Sequence, residues 1–195
     1  MKRGPAAVAV ALLSTLAFSF AAYPSATSER SASEARRIGT YEGKPVVVGH
    51  LSRREIEKLV PDWVGAEVTY RPFPSTARKL TTVKPGAEVT VYLGTWCSDS
   101  RREVSRLWRA LDEVGDDVPF TIRYFGIDHG IHRPSALVKR AHIVRVPTIV
   151  VERGGHEVGR IVEVSPHGIE NDLLALLSGK EHGLVTGSED LLGHH

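Results

Sequence analysis

Cysteine is almost absent from this sequence, which has one, Cys97, among its 195 residues. A lone cysteine cannot form a disulfide within the chain, so a disulfide framework is excluded as the source of stability. The fold must therefore be held together by a hydrophobic core. With 42% hydrophobic residues, the chain is long enough for one globular domain plus an extension.

A marked excess of one charge is lacking as well. Lysine and arginine number 25 against 23 aspartates and glutamates, a formal net charge of +2. No basic stripe interleaved with aromatic residues is present, so no nucleic-acid partner is predicted. No histidine forms a close cluster with the cysteine, so no metal site is predicted either. The histidines considered as metal ligands beside Cys97 are His129, His132, His142, His156 and His167.

One long hydrophobic run is present, from Ala6 to Phe20, two residues after Lys2-Arg3. A positive start, an apolar stretch and small residues at its end are typical of a secretory signal peptide. We therefore predict a signal peptide over residues 1–21, cleaved near Ala21, and an exported protein of the periplasm or the extracellular space. The alternative is an uncleaved N-terminal anchor, although the run is shorter than the ~20 residues that span a bilayer. After cleavage no membrane span is expected.

Residues 22–87 are predicted to be a linker followed by an N-terminal extension. Within it, Pro45 to Val48 indicates a short strand, and Ser52-Arg53-Arg54-Glu55 is a capping box that begins a helix. Pro61 ends that helix. The stretch from Val64 to Tyr70 is interpreted as another strand.

Residues 88–178 are predicted to be the main domain, with an α/β fold. The hydrophobic periodicity indicates the order βαβαββα, in three α/β/α layers with the N-terminal extension beside them. The predicted elements are Val89–Leu93, Ser98–Val114, Phe120–Ile127, Pro134–Arg140, Thr148–Val151, Val158–Val162 and Ile169–Leu177. Residues 179–195 have little pattern and are predicted to be a flexible tail.

Cys97 lies where the first strand of this domain leads into a helix. The first turn of a helix has backbone N–H groups without partners and carries the positive end of the helix dipole, so it stabilises a thiolate. The position therefore favours a reactive sulfur. The alternative is a small buried side chain, the role that most free cysteines have.

The segment Trp96-Cys97-x-x-Ser100 follows an apolar strand, and Val146-Pro147-Thr148 follows it about fifty residues later. This pair of motifs resembles the thioredoxin superfamily, in particular its secreted members with a monothiol Cys-x-x-Ser site. The resemblance implies that Cys97 is the nucleophile and that a cis-proline, Pro147, faces it. It also implies that Trp96, Val146, Pro147 and Thr148 bind substrate.

Two departures from the family pattern affect the expected chemistry. Ser100 stands where the resolving cysteine belongs, and Val91 stands where the family's reductases have a buried acid. Ser100 cannot attack a mixed disulfide, although its hydroxyl or its backbone N–H can stabilise the thiolate. Exchange is therefore expected to need an external thiol, for which glutathione or a second cysteine of a partner is a candidate. Near the last strand, Glu163 replaces a glycine usual in the family.

Three functions follow as hypotheses from these residues. The first is thiol–disulfide exchange on a protein thiol or disulfide, with Cys97 and Ser100 as catalytic residues and no bound cofactor. The second is a binding module with the same fold that holds an extended peptide or a partner protein without turnover. The third, metal or cluster binding as in monothiol glutaredoxins, is disfavoured because Ser98-Asp99 replaces their usual Gly-Phe.

Overall fold

A computed structural model describes residues 35–115 and 117–192 of the chain. The predicted signal peptide (1–21), the linker up to residue 34 and the last three residues of the predicted tail lie outside the described residues.

One mixed, seven-stranded β-sheet organises the described chain. Its strands are β1 (Arg36–Tyr41), β2 (Lys44–Leu51), β3 (Ala87–Leu93), β4 (Phe120–Gly126), β5 (Thr148–Arg153), β6 (His156–Val162) and β7 (Gly183–Val185). Their spatial order is β1-β2-β4-β3-β5-β6-β7. The pairs β3–β4 and β6–β7 are parallel, and the other neighbours are antiparallel.

Six helices accompany the sheet in the described part of the chain. They are α1 (Arg53–Leu59), α2 (Pro74–Lys79), α3 (Ser98–Asp112), α4 (Ser135–Arg140), α5 (Ile169–Leu177) and α6 (Glu189–Leu192), with short 3-10 turns at Pro61–Trp63 and Leu80–Thr82. From β3 to α5 the order is βαβαββα. The predicted α/β class and the predicted order of elements are therefore confirmed.

The sheet has a hydrophobic layer on each face, because successive residues of a strand point to opposite sides. On one face, Val89 and Val91 of β3 pack in a large cluster with α1, α3 and α5. On the other, Tyr92 of β3 packs with Val150 and with Val138 of α4. Helices thus cover both faces of the central strand β3, whose Val89 and Val91 are buried on one side and whose Thr90 and Tyr92 are buried on the other, which gives the predicted three layers.

The N-terminal extension adds two strands to the sheet, since β2 pairs with β4 and β1 with β2. The predicted capping box is present: the Glu55 N–H donates to the Ser52 hydroxyl at 3.2 Å, and the Ser52 N–H donates to the Glu55 carboxylate at 2.7 Å. Helix α1 ends at Leu59, before Pro61, as predicted.

The strand predicted from Val64 to Tyr70 is wrong. Turns occupy most of this stretch, and Gly65 and Glu67 have φ values of 72° and 55°, which do not occur in a strand. Val64 and Val68 are 60% and 58% exposed, so their alternation does not mark a buried face.

The predicted flexible tail is also corrected, over residues 183–192. Strand β7 pairs with β6, and the Thr186 hydroxyl donates to the Val162 carbonyl at 2.7 Å. In α6, Asp190 forms an ion pair with Arg145. These contacts with distant elements fix the segment, and local sequence pattern carries no sign of them.

Candidate functional site

Cys97 is the N-cap residue of α3, in an extended conformation. The Ser100 N–H donates to its sulfur at 3.5 Å, and its thiol donates to the Val146 carbonyl oxygen at 3.4 Å. The sulfur therefore lies between the start of a helix and the loop that leads into β5. The predicted proximity of the two sequence motifs is present in the fold.

The motifs meet because β3 and β5 are neighbours: Tyr92, near the end of β3, pairs with Thr148, at the start of β5. The Val146-Pro147 bond is cis, as predicted; Arg133-Pro134 is also cis. Thr148 is buried and its hydroxyl donates to the Arg145 carbonyl at 2.7 Å. The Thr148 hydroxyl thus holds the backbone of the loop at Arg145, next to Val146.

A groove of about 540 Å³ opens beside the sulfur. Of the residues predicted for the site, Cys97, Trp96 and Val146 line it, whereas Ser100, Pro147 and Thr148 do not. Its remaining walls come from the turn after β1, the loop after β4, and the loops that flank β5 and β6. These wall residues include Tyr41, Glu42, His129, Arg145 and Glu163.

Trp96 stands at the centre of an aromatic cluster that forms one wall. Its indole N–H donates to the Ile127 carbonyl at 3.0 Å, and its ring meets Tyr41 and His129 edge-on, at centroid distances of 5.8 and 4.8 Å. A Cβ atom on Gly94 would lie 2.6 Å from the indole, so only glycine allows this packing. Tyr41 and His129 stack at 3.6 Å.

The N-terminal extension brings Tyr41 to the site through a tight turn between β1 and β2. Its two central residues, Glu42 and Gly43, have positive φ values of 48° and 75°, the conformation that a type I′ hairpin turn needs. The buried Thr95 hydroxyl donates to the Pro45 carbonyl at 2.6 Å and accepts from the Val47 N–H at 3.2 Å. The hairpin is therefore fastened to the loop that carries Cys97.

Ser100 is fully buried beneath the sulfur. Its hydroxyl accepts a hydrogen bond from the Gly94 N–H at 3.1 Å, and only its backbone N–H contacts the Cys97 sulfur. The sequence offers two donors to the thiolate, the Ser100 hydroxyl and the Ser100 backbone N–H. The structure gives them different partners: the hydroxyl binds the Gly94 N–H, and the backbone N–H binds the sulfur. Val91, which the resemblance puts at the position of an acid, is buried in the large cluster.

Three arginines near the sulfur are paired with carboxylates. Arg102 bonds Asp99 at 2.7 Å, and Arg101 meets Asp62 at 3.3 Å. On the opposite wall, hydrogen bonding to Glu163 raises the pKa of Arg145 above its ordinary value. The arginines therefore reach carboxylates instead of the sulfur.

Glu163 has a φ of 58°, in the left-handed region that favours glycine. The resemblance puts a glycine at this position, and the observed backbone shows the physical reason. The Glu163 N–H donates to the Pro147 carbonyl at 2.8 Å, and its carboxylate meets Arg145 at 3.1 Å. The glutamate thus adds an ion pair to the groove wall, where a glycine would have no side chain.

Among residues 35–115 and 117–192, no three His, Cys, Asp or Glu side chains come together as a metal site. Over the same residues, every helix is too short or too polar to cross a membrane.

No protein-family model matches the sequence, and no curated protein matches it. Several solved structures are similar, among them the following two. A protein of unknown function from Pseudomonas aeruginosa is 16% identical, with a TM-score of 0.43, and the match covers 67% of this chain and 99% of that one. An HIV epitope scaffold is also 16% identical, with a TM-score of 0.45, over 64% and 85% of the two chains. Neither similarity indicates a function.

Wall residues that are not predicted for the site from the sequence include Tyr41, His129, Arg145 and Glu163. The Tyr41-Glu42-Gly43 turn is a weak hairpin signal, but the edge of the sheet that the hairpin joins is a tertiary property. Arg145 is next to the Val-Pro-Thr motif, so proximity in sequence is a usable signal for it.

Proposed function

We propose that this protein belongs to the thioredoxin superfamily and takes part in thiol–disulfide exchange through Cys97, with an external resolving thiol. The observation that carries the proposal is the position of the sulfur. It accepts a backbone N–H at the start of α3 and opens onto a groove next to Val146. A helix start with an N–H donor stabilises a thiolate, which is the attacking form.

In the proposed reaction, the Cys97 thiolate attacks one sulfur of a substrate disulfide. The substrate S–S bond breaks, a mixed disulfide with Cys97 forms, and the second substrate sulfur leaves as a thiolate that takes up a proton from water. An external thiol then attacks the mixed disulfide. Cys97 is released as a thiolate and the external thiol becomes part of the new disulfide, so electrons balance over the two steps.

The external thiol is needed because the chain has a single cysteine. The buried Ser100 hydroxyl is no substitute, since an alcohol oxygen cannot replace a thiolate sulfur in disulfide exchange. Glutathione, or a second cysteine of the partner protein, supplies the required chemistry. We propose that the substrate is an exported protein, because residues 1–21 have the composition of a signal peptide.

Strand addition is the proposed mode of substrate binding. Val146 lines the groove, and its backbone N–H has no acceptor within the described residues. An extended peptide therefore finds a backbone donor beside the sulfur. The same observation favours the second candidate function, a peptide-binding module without turnover.

The test compares folded protein with protein unfolded in urea, each reacting with glutathione disulfide at pH 7. Mass spectrometry measures the mixed disulfide, which can form only at Cys97. We expect the folded protein to form the mixed disulfide faster than the unfolded chain, because only the folded chain presents the Ser100 N–H to the sulfur at the start of α3. A folded protein that reacts more slowly than the unfolded chain would contradict the exchange proposal.

A second measurement separates exchange from binding alone. Cys97→Ser should retain affinity for an extended peptide while losing all mixed-disulfide formation. If Cys97→Ser also keeps the protein's full biological effect, the binding module is the correct function and exchange is not.

A further inference from the structure

A second groove, of about 490 Å³, lies at the end of β3 opposite to Cys97. It is bordered by the C-terminal end of α5, by residues 79–84, and by the facing ends of β5 and β6. The seven residues of β3 separate it from the Cys97 groove by roughly 20 Å. The proposed exchange chemistry does not involve it.

The floor of this groove is apolar. It is formed by Val83, Val158, Leu174, Leu176 and Leu177, which join the large hydrophobic cluster of the fold. Val83, Leu176 and Leu177 are already buried, whereas Val158 and Leu174 are half-buried. A hydrocarbon chain in the groove therefore removes the exposed part of Val158 and Leu174 from water, which favours binding.

The rim of the groove is basic. Lys79, Lys84, Lys180, Arg153 and His182 line it, and no aspartate or glutamate is among its lining residues. In the part of the chain that the structure describes, the ion pairs are made by arginines and a histidine, and none by a lysine. The arginines beside Cys97 are matched with carboxylates, whereas these lysines are not.

Arg153 is fixed at the base of the rim. Its guanidinium donates to the Pro85 carbonyl at 2.8 Å and to the Leu177 carbonyl at 3.2 Å, at the end of α5. Both acceptors are neutral, so the guanidinium is held in place while its charge is not neutralised by a carboxylate. Like charges gathered in one groove repel, and an anion placed between them removes that repulsion.

We propose that this groove binds an amphipathic anion of the fatty-acid type. The carboxylate lies at the lysine rim, and the alkyl chain lies on the leucine and valine floor. The volume falls within the roughly 300–1,000 Å³ typical of small-molecule sites. The assignment rests on the charge and the lining of this groove alone and is independent of the chemistry at Cys97.

The test uses decanoate below its micellar concentration and records the backbone amide spectrum of the full chain by NMR. Acetate carries the charge without the chain, and decyltrimethylammonium carries the chain with the opposite charge. We expect decanoate to shift the amides around Thr82–Lys84 and Leu177–Lys180, with an affinity that falls as salt is added. Acetate and the cation should bind far more weakly.

Charge removal on the rim supplies the matched comparison. Lys84→Gln and Lys180→Gln change exposed side chains and should each weaken decanoate binding about 5-fold. The control, Lys58→Gln, changes a lysine of α1 that does not line the groove and should leave the affinity unchanged. Equal binding of acetate, equal loss in the control, or shifts confined to the Cys97 groove would each overturn the proposal.

Discussion

Ser100 offers the sharpest test of how the site is built, because a single buried oxygen links α3 to the start of the loop before Cys97. Its hydroxyl oxygen is the acceptor for the Gly94 N–H, at 3.1 Å. Ser100→Ala removes the acceptor and leaves that N–H buried without a partner. Ser100→Cys replaces the oxygen with sulfur, a weaker acceptor.

The magnitudes follow from this bond. An orphaned buried donor costs about 1–3 kcal/mol, so Ser100→Ala should lower the free energy of unfolding by that amount. For Ser100→Cys the loss in the free energy of unfolding should be at the low end of this range, near about 1 kcal/mol. For a chain of this size such a loss lowers the Tm by about 2–4 °C. Urea and thermal unfolding measure both variants against wild type.

Ser100→Cys should also change the reaction with a protein disulfide. With insulin and a thioredoxin-type reductase as the only electron source, wild type should stop at a mixed disulfide on Cys97. The variant should release reduced insulin and accumulate an internal disulfide between Cys97 and the introduced thiol, seen by mass spectrometry of quenched samples. The gain should be partial, because Val91 supplies no acid beneath the new thiol.

Two results would refute this reasoning. Repeated turnover of insulin by wild type without an external thiol would show that release needs no second cysteine. Unchanged stability of Ser100→Ala would show that the bond to Gly94 does not hold the loop.

Two further predictions concern glutamates. Glu163→Ala keeps a side chain at a φ of 58°, whereas Glu163→Gly does not. Both variants lose the ion pair with Arg145, but only alanine has a Cβ atom that is strained at this φ. In urea unfolding, Glu163→Gly should therefore be more stable than Glu163→Ala by about 1 kcal/mol. Equal stabilities would exclude backbone strain at this position. Glu103 is 1% exposed, and burial raises its pKa above 4.5. Its stabilising contribution is therefore complete below about pH 4.5 and is lost as pH rises through the raised pKa. The free energy of unfolding of Glu103→Gln should not show this loss as pH rises. If the free energies of unfolding of wild type and Glu103→Gln change in parallel with pH, the prediction is wrong.

Elements with a strong internal pattern can be predicted from the sequence. Helix α5 is predicted with its observed bounds, because Leu173 and Leu177 mark its buried face. Strand β3 is predicted within two residues, because Val89 and Val91 mark one buried face of the strand. Strand β1 is not predicted, since its residues are charged, small or half-exposed and only pairing with β2 makes it a strand. The same holds for the three residues of β7.

The site residues also fall into two groups, those that belong to a local sequence motif and those that only the complete sheet brings together. Trp96, Cys97 and Val146 belong to two short motifs, and the pairing of β3 with β5 brings those motifs together. Tyr41 and His129 meet across elements whose spatial order depends on the whole sheet. The direction of the Ser100 hydroxyl is set by the Gly94 N–H in the turn above it, which no local pattern shows.

The positions of β2 and β7 bear on how this chain can be divided. In the βαβαββα core alone, β4 and β6 would be edge strands, with rows of N–H and C=O groups open to other chains. Here β2 covers the free side of β4, and β7 covers that of β6. Open edges of this kind promote pairing between molecules and aggregation. A fragment cut at residues 88 and 178 would expose both, so a fragment that keeps these two edges covered must include β2 and β7.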